Sequence, residues 1–145
     1  MISFIAFLLC VSPWQTADQF LRENQKQKGT VSLAEGKLQY HVVKKGKGET
    51  IASYSKPLIS YSGKYLQGPS ISPVEEFLDL DETYQGFKKG LVGMKEGEVR
   101  VFYIHPEWGD GKGLMIVQVE VIKADASAEA HAASQCDIFT RPFSK

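Results

Sequence analysis

The stretch from Tyr84 to Pro106 sets two hydrophobic periods side by side, and few arrangements of a chain satisfy both. Phe87, Leu91 and Met94 recur at steps of four and three, which puts three large apolar side chains on one side of a short helix. Val99, Val101 and Tyr103 then alternate with Arg100, Phe102 and Ile104 as a strand does, with Lys95-Glu96-Gly97 as the turn between them. A helix of about two and a half turns is marginal in water by itself, so its apolar stripe has to be buried by something that curls around it. The strand that follows is the nearest partner. Apolar side chains on both of its faces mark it as a central strand.

At 145 residues the chain has room for one domain with a substantial core. Lys plus Arg and Asp plus Glu balance at 17 each, so no charge excess points to nucleic acid or to an anionic membrane. A small molecule, a peptide or a protein is the default partner. Thirteen glycines among alternating segments point to turns and an antiparallel sheet. Cys10 and Cys136 stand near opposite ends, outside the part that reads as folded, and neither has metal-ligand spacing. With His41, His105 and His131 scattered, neither a metal site nor a cofactor is expected. There is no repeat, transmembrane span, catalytic triad, P-loop or dinucleotide signature.

In chain order, residues 2–12 form an apolar run too short to span a membrane and of the length of a signal-peptide core, with Thr16-Ala17 as a candidate cleavage end. No Lys or Arg precedes the run, so a truncated or misassigned start is the rival reading. Residues 1–17 are accordingly assigned to a leader, with export to the bacterial periplasm or envelope if it works and a cytoplasmic protein if it does not. Thr16-Ala17-Asp18-Gln19 fits a capping box opening a polar helix with Phe20 and Leu21 on one side, so residues 18–33 are read as a helical arm. Strands are expected at Lys37–Val43, Pro57–Gly63, Phe77–Leu80 and Leu114–Ile122. Residues 34–123 form the folded domain. Residues 124–145, alanine-rich and polar, are expected to be a tail, partly helical or disordered and so flexible.

Gly86-Phe87 opening a short helix, then Gly93-Met94-Lys95-Glu96-Gly97, then a strand ending in Ile104-His105-Pro106, resembles the core of FK506-binding-protein (FKBP) type peptidyl-prolyl isomerases. The wording from Met94 to Pro106 is most similar to the Mip-like bacterial branch, as is Phe20-Leu21-Arg22-Glu23-Asn24; Tyr61-Ser62-Gly63 matches the family's aromatic-Thr/Ser-Gly unit. The resemblance covers roughly residues 18–123. It implies an isomerase acting on X-Pro bonds of polypeptides during folding, with a macrolide of the FK506 class as a further ligand and no nucleic acid partner. Nearly all of the family's upstream dimerising segment is missing, so a monomer is expected.

By the same resemblance Tyr61 would orient the substrate through its hydroxyl, Phe87 would floor the pocket, and the Tyr84 backbone N–H would anchor a substrate carbonyl. Ile71, Leu78 and Val117 would be walls. Ser72 stands where the family has a carboxylate paired with the tyrosine hydroxyl, Asp110 stands where a pocket tyrosine would be, and Val117 replaces a phenylalanine. The loop after Pro106 is too short to form an overhanging flap. Each large apolar residue among these is equally well read as plain core. The expectation is an α+β fold, an antiparallel sheet of four to six strands wrapped around one short helix near Gly86, with an N-terminal helix and a loose C-terminal tail. Its expected activity is a weakened prolyl isomerase, and the alternative is a non-catalytic peptide-binding or chaperone module on the same fold.

Overall fold

The computed structural model describes residues 13–128. The apolar run at residues 2–12, both cysteines, His131 and the chain beyond residue 128 lie outside them. Helix α1 (Pro13–Asn24) is followed by strands β1 (Val31–Leu33), β2 (Leu38–Lys44), β3 (Leu58–Tyr65) and β4 (Ser70–Phe77). Helix α2 (Gln85–Leu91) and strands β5 (Val99–Ile104) and β6 (Met115–Lys123) complete the order. The six strands make one sheet in the order β1-β2-β5-β6-β3-β4, with every neighbouring pair antiparallel.

One face of the sheet presents Leu38, Phe102, Ile104, Val117, Val119 and Ile59, all fully buried, and α2 lies in this hollow with Phe87 and Leu91. The expected stripe is therefore the centre of the core, although its backbone differs from expectation. The helix ends at Leu91, and Met94 lies beyond it, fully buried. There the chain exchanges helical bonds for a clasp with the preceding loop. Gly93 N–H donates to Ile51 O at 2.9 Å and Ile51 N–H to Met94 O at 2.8 Å. Gly93 holds φ +98°, a conformation that side chains with a Cβ rarely adopt.

Close approach of α2 to the sheet is set by two glycines. A Cβ on Gly86 would lie 2.7 Å from Ile104 Cγ2 and 2.8 Å from Trp108 O, and one on Gly90 would lie 2.4 Å from the Phe102 ring. Arg100 ties the far end of the helix down. It pairs with Glu98, its Nη1 donates to Gly90 O at 3.4 Å, and its guanidinium lies 4.2 Å from the Tyr40 ring centroid. A cation at a helix C-terminus is favourable for the exposed carbonyls there.

The opposite face carries α1. Ala17 and Leu21 are buried against Leu114, with Phe20 and Tyr103 packed beside them. Gln39, fully buried, donates to Leu21 O at 2.9 Å and Gly36 O at 3.0 Å and accepts from Asn24 Nδ2 at 2.8 Å. His105 Nε2 lies 3.0 Å from Asp18 Oδ1, and its Nδ1 accepts from Glu107 N–H. Thr16-Ala17-Asp18-Gln19 is not the cap it resembled: the helix already starts at Pro13, a residue pre-set for a first helical turn.

A second departure concerns Phe77–Leu80, expected as a strand. Pairing stops at Phe77, where Leu58 is the last partner. Leu78 N–H then bonds Pro57 O at 2.9 Å, and Asp79 turns the chain by accepting from Asp81 N–H at 3.0 Å. A short polar side chain that captures a backbone N–H two residues on is ordinary turn chemistry.

Candidate functional site

Where β4 leaves the sheet and α2 begins, the two ends enclose a cavity of 460 Å³. Tyr61 reaches it from β3, Leu78 from the turn after β4, and Tyr84 and Phe87 from the start of α2. The aromatic rings are in contact. The Tyr61 and Phe87 centroids are 5.8 Å apart at 52°, and Tyr84 stacks on Phe87 at 6.4 Å and 27°. Tilted and offset arrangements of this kind suit the positive edges and negative faces of the rings. Phe87 is 6% exposed and anchored in the core, whereas Tyr84 is 44% exposed at the rim.

Tyr61 O–H donates to Glu76 Oε1 at 2.9 Å. Burial, which disfavours the charged phenolate, and then this carboxylate, which opposes a second negative charge, push the phenol up to about 12. Asp79 and Glu82 line the cavity as well, and no Lys, Arg or His is among its lining residues. Lys88, on α2, is paired with Asp81 at 3.0 Å. The cavity therefore joins an aromatic floor to an acidic wall.

A second phenol–carboxylate pair lies nearby. Tyr65 O–H donates to Asp110 Oδ2, and that bond, followed by burial, pushes Tyr65 up to about 12. Tyr84 contributes to the rise at both Tyr61 and Tyr65, so the three phenols share one electrostatic neighbourhood. Asp110 is thus a partner of Tyr65, with Lys112 N–H on its other oxygen at 2.9 Å. The chain between β5 and β6 is short. After one 3-10 turn at Pro106–Trp108 it returns to the sheet, with Trp108 half-buried against the core under Lys89 Nζ at 5.5 Å. Among the described residues no group of three or more His, Cys, Asp or Glu side chains is placed to hold a metal ion.

Of the seven residues singled out from the sequence, four meet here: Tyr61, Tyr84, Phe87 and Leu78. Ile71, Ser72 and Val117 do not line the cavity. Ile71 and Val117 are registered on either side of Gly63, farther along the sheet, and Val117 is fully buried in the core. Ser72 is exposed in an irregularity of the β3–β4 pairing. The lost charge expected from Ser72 is a further correction: a carboxylate does meet Tyr61, and it is Glu76. Sequence reasoning missed Glu76 because the resemblance directs attention to position 72. No strand is expected over residues 70–77 from the sequence, and the irregular pairing beside Ser72 hides which face Glu76 presents, so no periodic signal marked it.

Residues 37–129 match the family described as FKBP-type peptidyl-prolyl cis-trans isomerase. The chain is 36% identical over 128 residues to peptidyl-prolyl cis-trans isomerase Mip of Chlamydia trachomatis, covering 80% of this chain and 53% of that protein. It is 37% identical over 126 residues to the Chlamydia pneumoniae protein of the same name, covering 79% and 49%. The chain thus spans about half the length of these relatives. In shape it is similar to a peptidyl-prolyl cis-trans isomerase of Pseudomonas syringae, with TM-score 0.68, 16% identity and coverage of 76% of this chain and 91% of that one. It is also similar to FkpA of Escherichia coli, with TM-score 0.65, 24% identity and coverage of 75% and 59%. These likenesses in shape bear on the fold.

Proposed function

Because the chain belongs to the FKBP-type peptidyl-prolyl cis-trans isomerase family, we propose that its aromatic cavity catalyses rotation about X-Pro bonds in polypeptides and so assists folding. The observation that carries this reading is the contact of Tyr61, Tyr84 and Phe87 around a 460 Å³ cavity open to the end of the sheet. A cavity of that size is in the range that holds a small ligand or a few residues of peptide.

The chemistry asked of such a site is modest. Amide resonance sets a barrier of ~18–20 kcal/mol, and the uncatalysed X-Pro step takes tens to hundreds of seconds. Twisting the amide removes its charge separation, so the twisted form is less polar than either planar isomer. An aromatic, water-poor surface such as the Phe87 face favours that form relative to the ground states. Each ~1.36 kcal/mol so gained is a tenfold rise in rate. Phe87 supplies the floor, Leu78 and Tyr84 the sides, and Tyr61 a polar group that sets the orientation; the Tyr84 backbone N–H is the proposed anchor for a substrate carbonyl.

The acidic wall and the exposed Tyr84 keep water close to the twisting bond, which supports an activity weaker than a fully apolar pocket would give. The cavity is complete within one chain, so the reading requires no second copy, and a macrolide of the FK506 class would compete for the same space. The apolar run at residues 2–12 supports action in the bacterial periplasm or envelope. Phe77, 40% exposed on β4 at the edge of the sheet, favours the second reading, in which the same face holds extended chains without catalysis.

The test is refolding of a protein whose slow phase is limited by proline isomerisation. Acceleration of that phase, weakened by Tyr84→Ala, is the expected result. Suppressed aggregation with an unchanged slow phase would favour the holding module.

A further inference from the structure

Resting on the reading of the cavity as a prolyl-isomerase site, we propose that Glu76 is the positioning residue for Tyr61, taking the part that Ser72 cannot play. The register explains the transfer. Tyr61 opposes Val74 and Gly63 opposes Ile71, so between these pairs Ser62 faces two residues, Ser72 and Pro73. An extra residue of this kind interrupts the alternation of faces. Past the bulge, Ile59 lies directly opposite Glu76, and Ile59 is fully buried in the core. Glu76 therefore stands on the concave face, diagonal to Tyr61. Diagonal cross-strand neighbours lie ~7–8 Å apart, within reach of two long side chains.

The half-buried Glu76 closes that distance with a hydrogen bond of 2.9 Å, whereas Ser72 is exposed. A bond from a phenol to an ionised carboxylate is among the stronger ones a side chain makes. It fixes the Tyr61 ring at its 52° tilt against Phe87. It also commits the phenol proton, so Tyr61 meets the substrate as an acceptor and pairs with a peptide N–H beside the proline. Glu76 acts on the reaction through Tyr61, and a carboxylate restored at position 72 would not replace it.

The experiment is a double-mutant cycle on the full chain with Glu76→Gln, Tyr61→Phe and the pair. Isomerisation of a Leu-Pro peptide is measured by exchange NMR, and phenolate absorbance is titrated in the same proteins. Glu76→Gln, which keeps an acceptor oxygen but removes its charge, is expected to lower kcat/KM by about threefold to tenfold, the difference between a charged and a neutral hydrogen bond. It should cost less than twofold more once Tyr61 is Phe. Adding Ser72→Asp to Glu76→Gln should restore nothing. The Tyr61 phenolate, obtained as the difference from Tyr61→Phe, should titrate at lower pH in Glu76→Gln than in the wild type. Losses that multiply in the double mutant, rescue by Ser72→Asp, or an unmoved phenolate midpoint would each overturn the assignment. A wild type without catalysis would overturn the catalytic reading and this role with it. The midpoint shift would then still be seen, which separates that failure from a pair that does not form.

Discussion

Gly90 of α2 lies directly under the Phe102 ring of β5, so close that a Cβ on the glycine would stand 2.4 Å from Cε1 and 3.0 Å from Cδ1. The ring is fully buried among the core side chains. Helix propensity alone would make Gly90→Ala stabilising by about 0.8–1 kcal/mol. Overpacking of a filled core costs about 1–3 kcal/mol and wins. Gly90→Ala is therefore expected to lower the denaturation midpoint in urea without changing the slope. A midpoint that rises would show that α2 does not sit on β5 as described.

Phe87 and Tyr84 line the same cavity but differ in burial, and this separates folding from function. Phe87→Ala should cost about 3–5 kcal/mol of stability, because a large buried ring leaves a void. Tyr84→Ala, at a rim position 44% exposed, should change stability by less than about 1 kcal/mol. Its loss of the stacked ring should nonetheless lower kcat/KM by about twofold to tenfold, the equivalent of one aromatic pair. Thermal unfolding and peptide isomerisation measured on the same samples check both halves.

Glu76, Asp79 and Glu82 give the cavity lining three carboxylates and no cation. Two unit charges 4 Å apart interact by about 1 kcal/mol even in bulk water, and such interactions fade with salt. Peptides with Lys before or after the proline are expected to be processed several-fold faster than those with Glu there. The gap should narrow as ionic strength rises towards 1 M, where the screening length is about 3 Å. Equal rates for the two peptides at low salt would contradict the acidic wall.

Tyr61 and Tyr65 both have phenols raised from 10.0 to about 12, the first chiefly by burial and the second chiefly by its bond to Asp110. A group whose folded value is raised favours the folded state while it stays protonated. The contribution is therefore complete below about pH 10 and is lost as pH climbs from about 10 to about 12. Unfolding free energy should fall across that window, and Tyr61→Phe should make the fall shallower. A slope that Tyr61→Phe leaves unchanged would show that the Tyr61 phenol gains nothing from its folded surroundings.

Side-chain spacing revealed the core better than it revealed the backbone. Phe87, Leu91 and Met94 are all buried together, as their period requires, although Met94 has already left the helix. Burial follows from where apolar groups recur, while helix ends follow from particular hydrogen bonds such as Gly93 N–H to Ile51 O. Alternation likewise showed that Val117 faces inward without showing how far along the sheet it lies, so a core residue and a cavity wall read alike. The bulge at Ser72-Pro73 left no periodic trace, and with it the face presented by Glu76 could not be read. The start of α1 at Pro13 was hidden by Thr16-Ala17-Asp18-Gln19, a pattern common enough to occur inside a helix.

The central claim is that the hollow between the sheet and α2 eases rotation of a proline amide. Exchange NMR of a Leu-Pro peptide, with and without catalytic amounts of the protein, measures that rotation directly. The account predicts faster cis-trans exchange with the wild type, reduced by Tyr84→Ala in a protein that remains folded. Exchange unchanged by a wild type that measurably binds the peptide would contradict it.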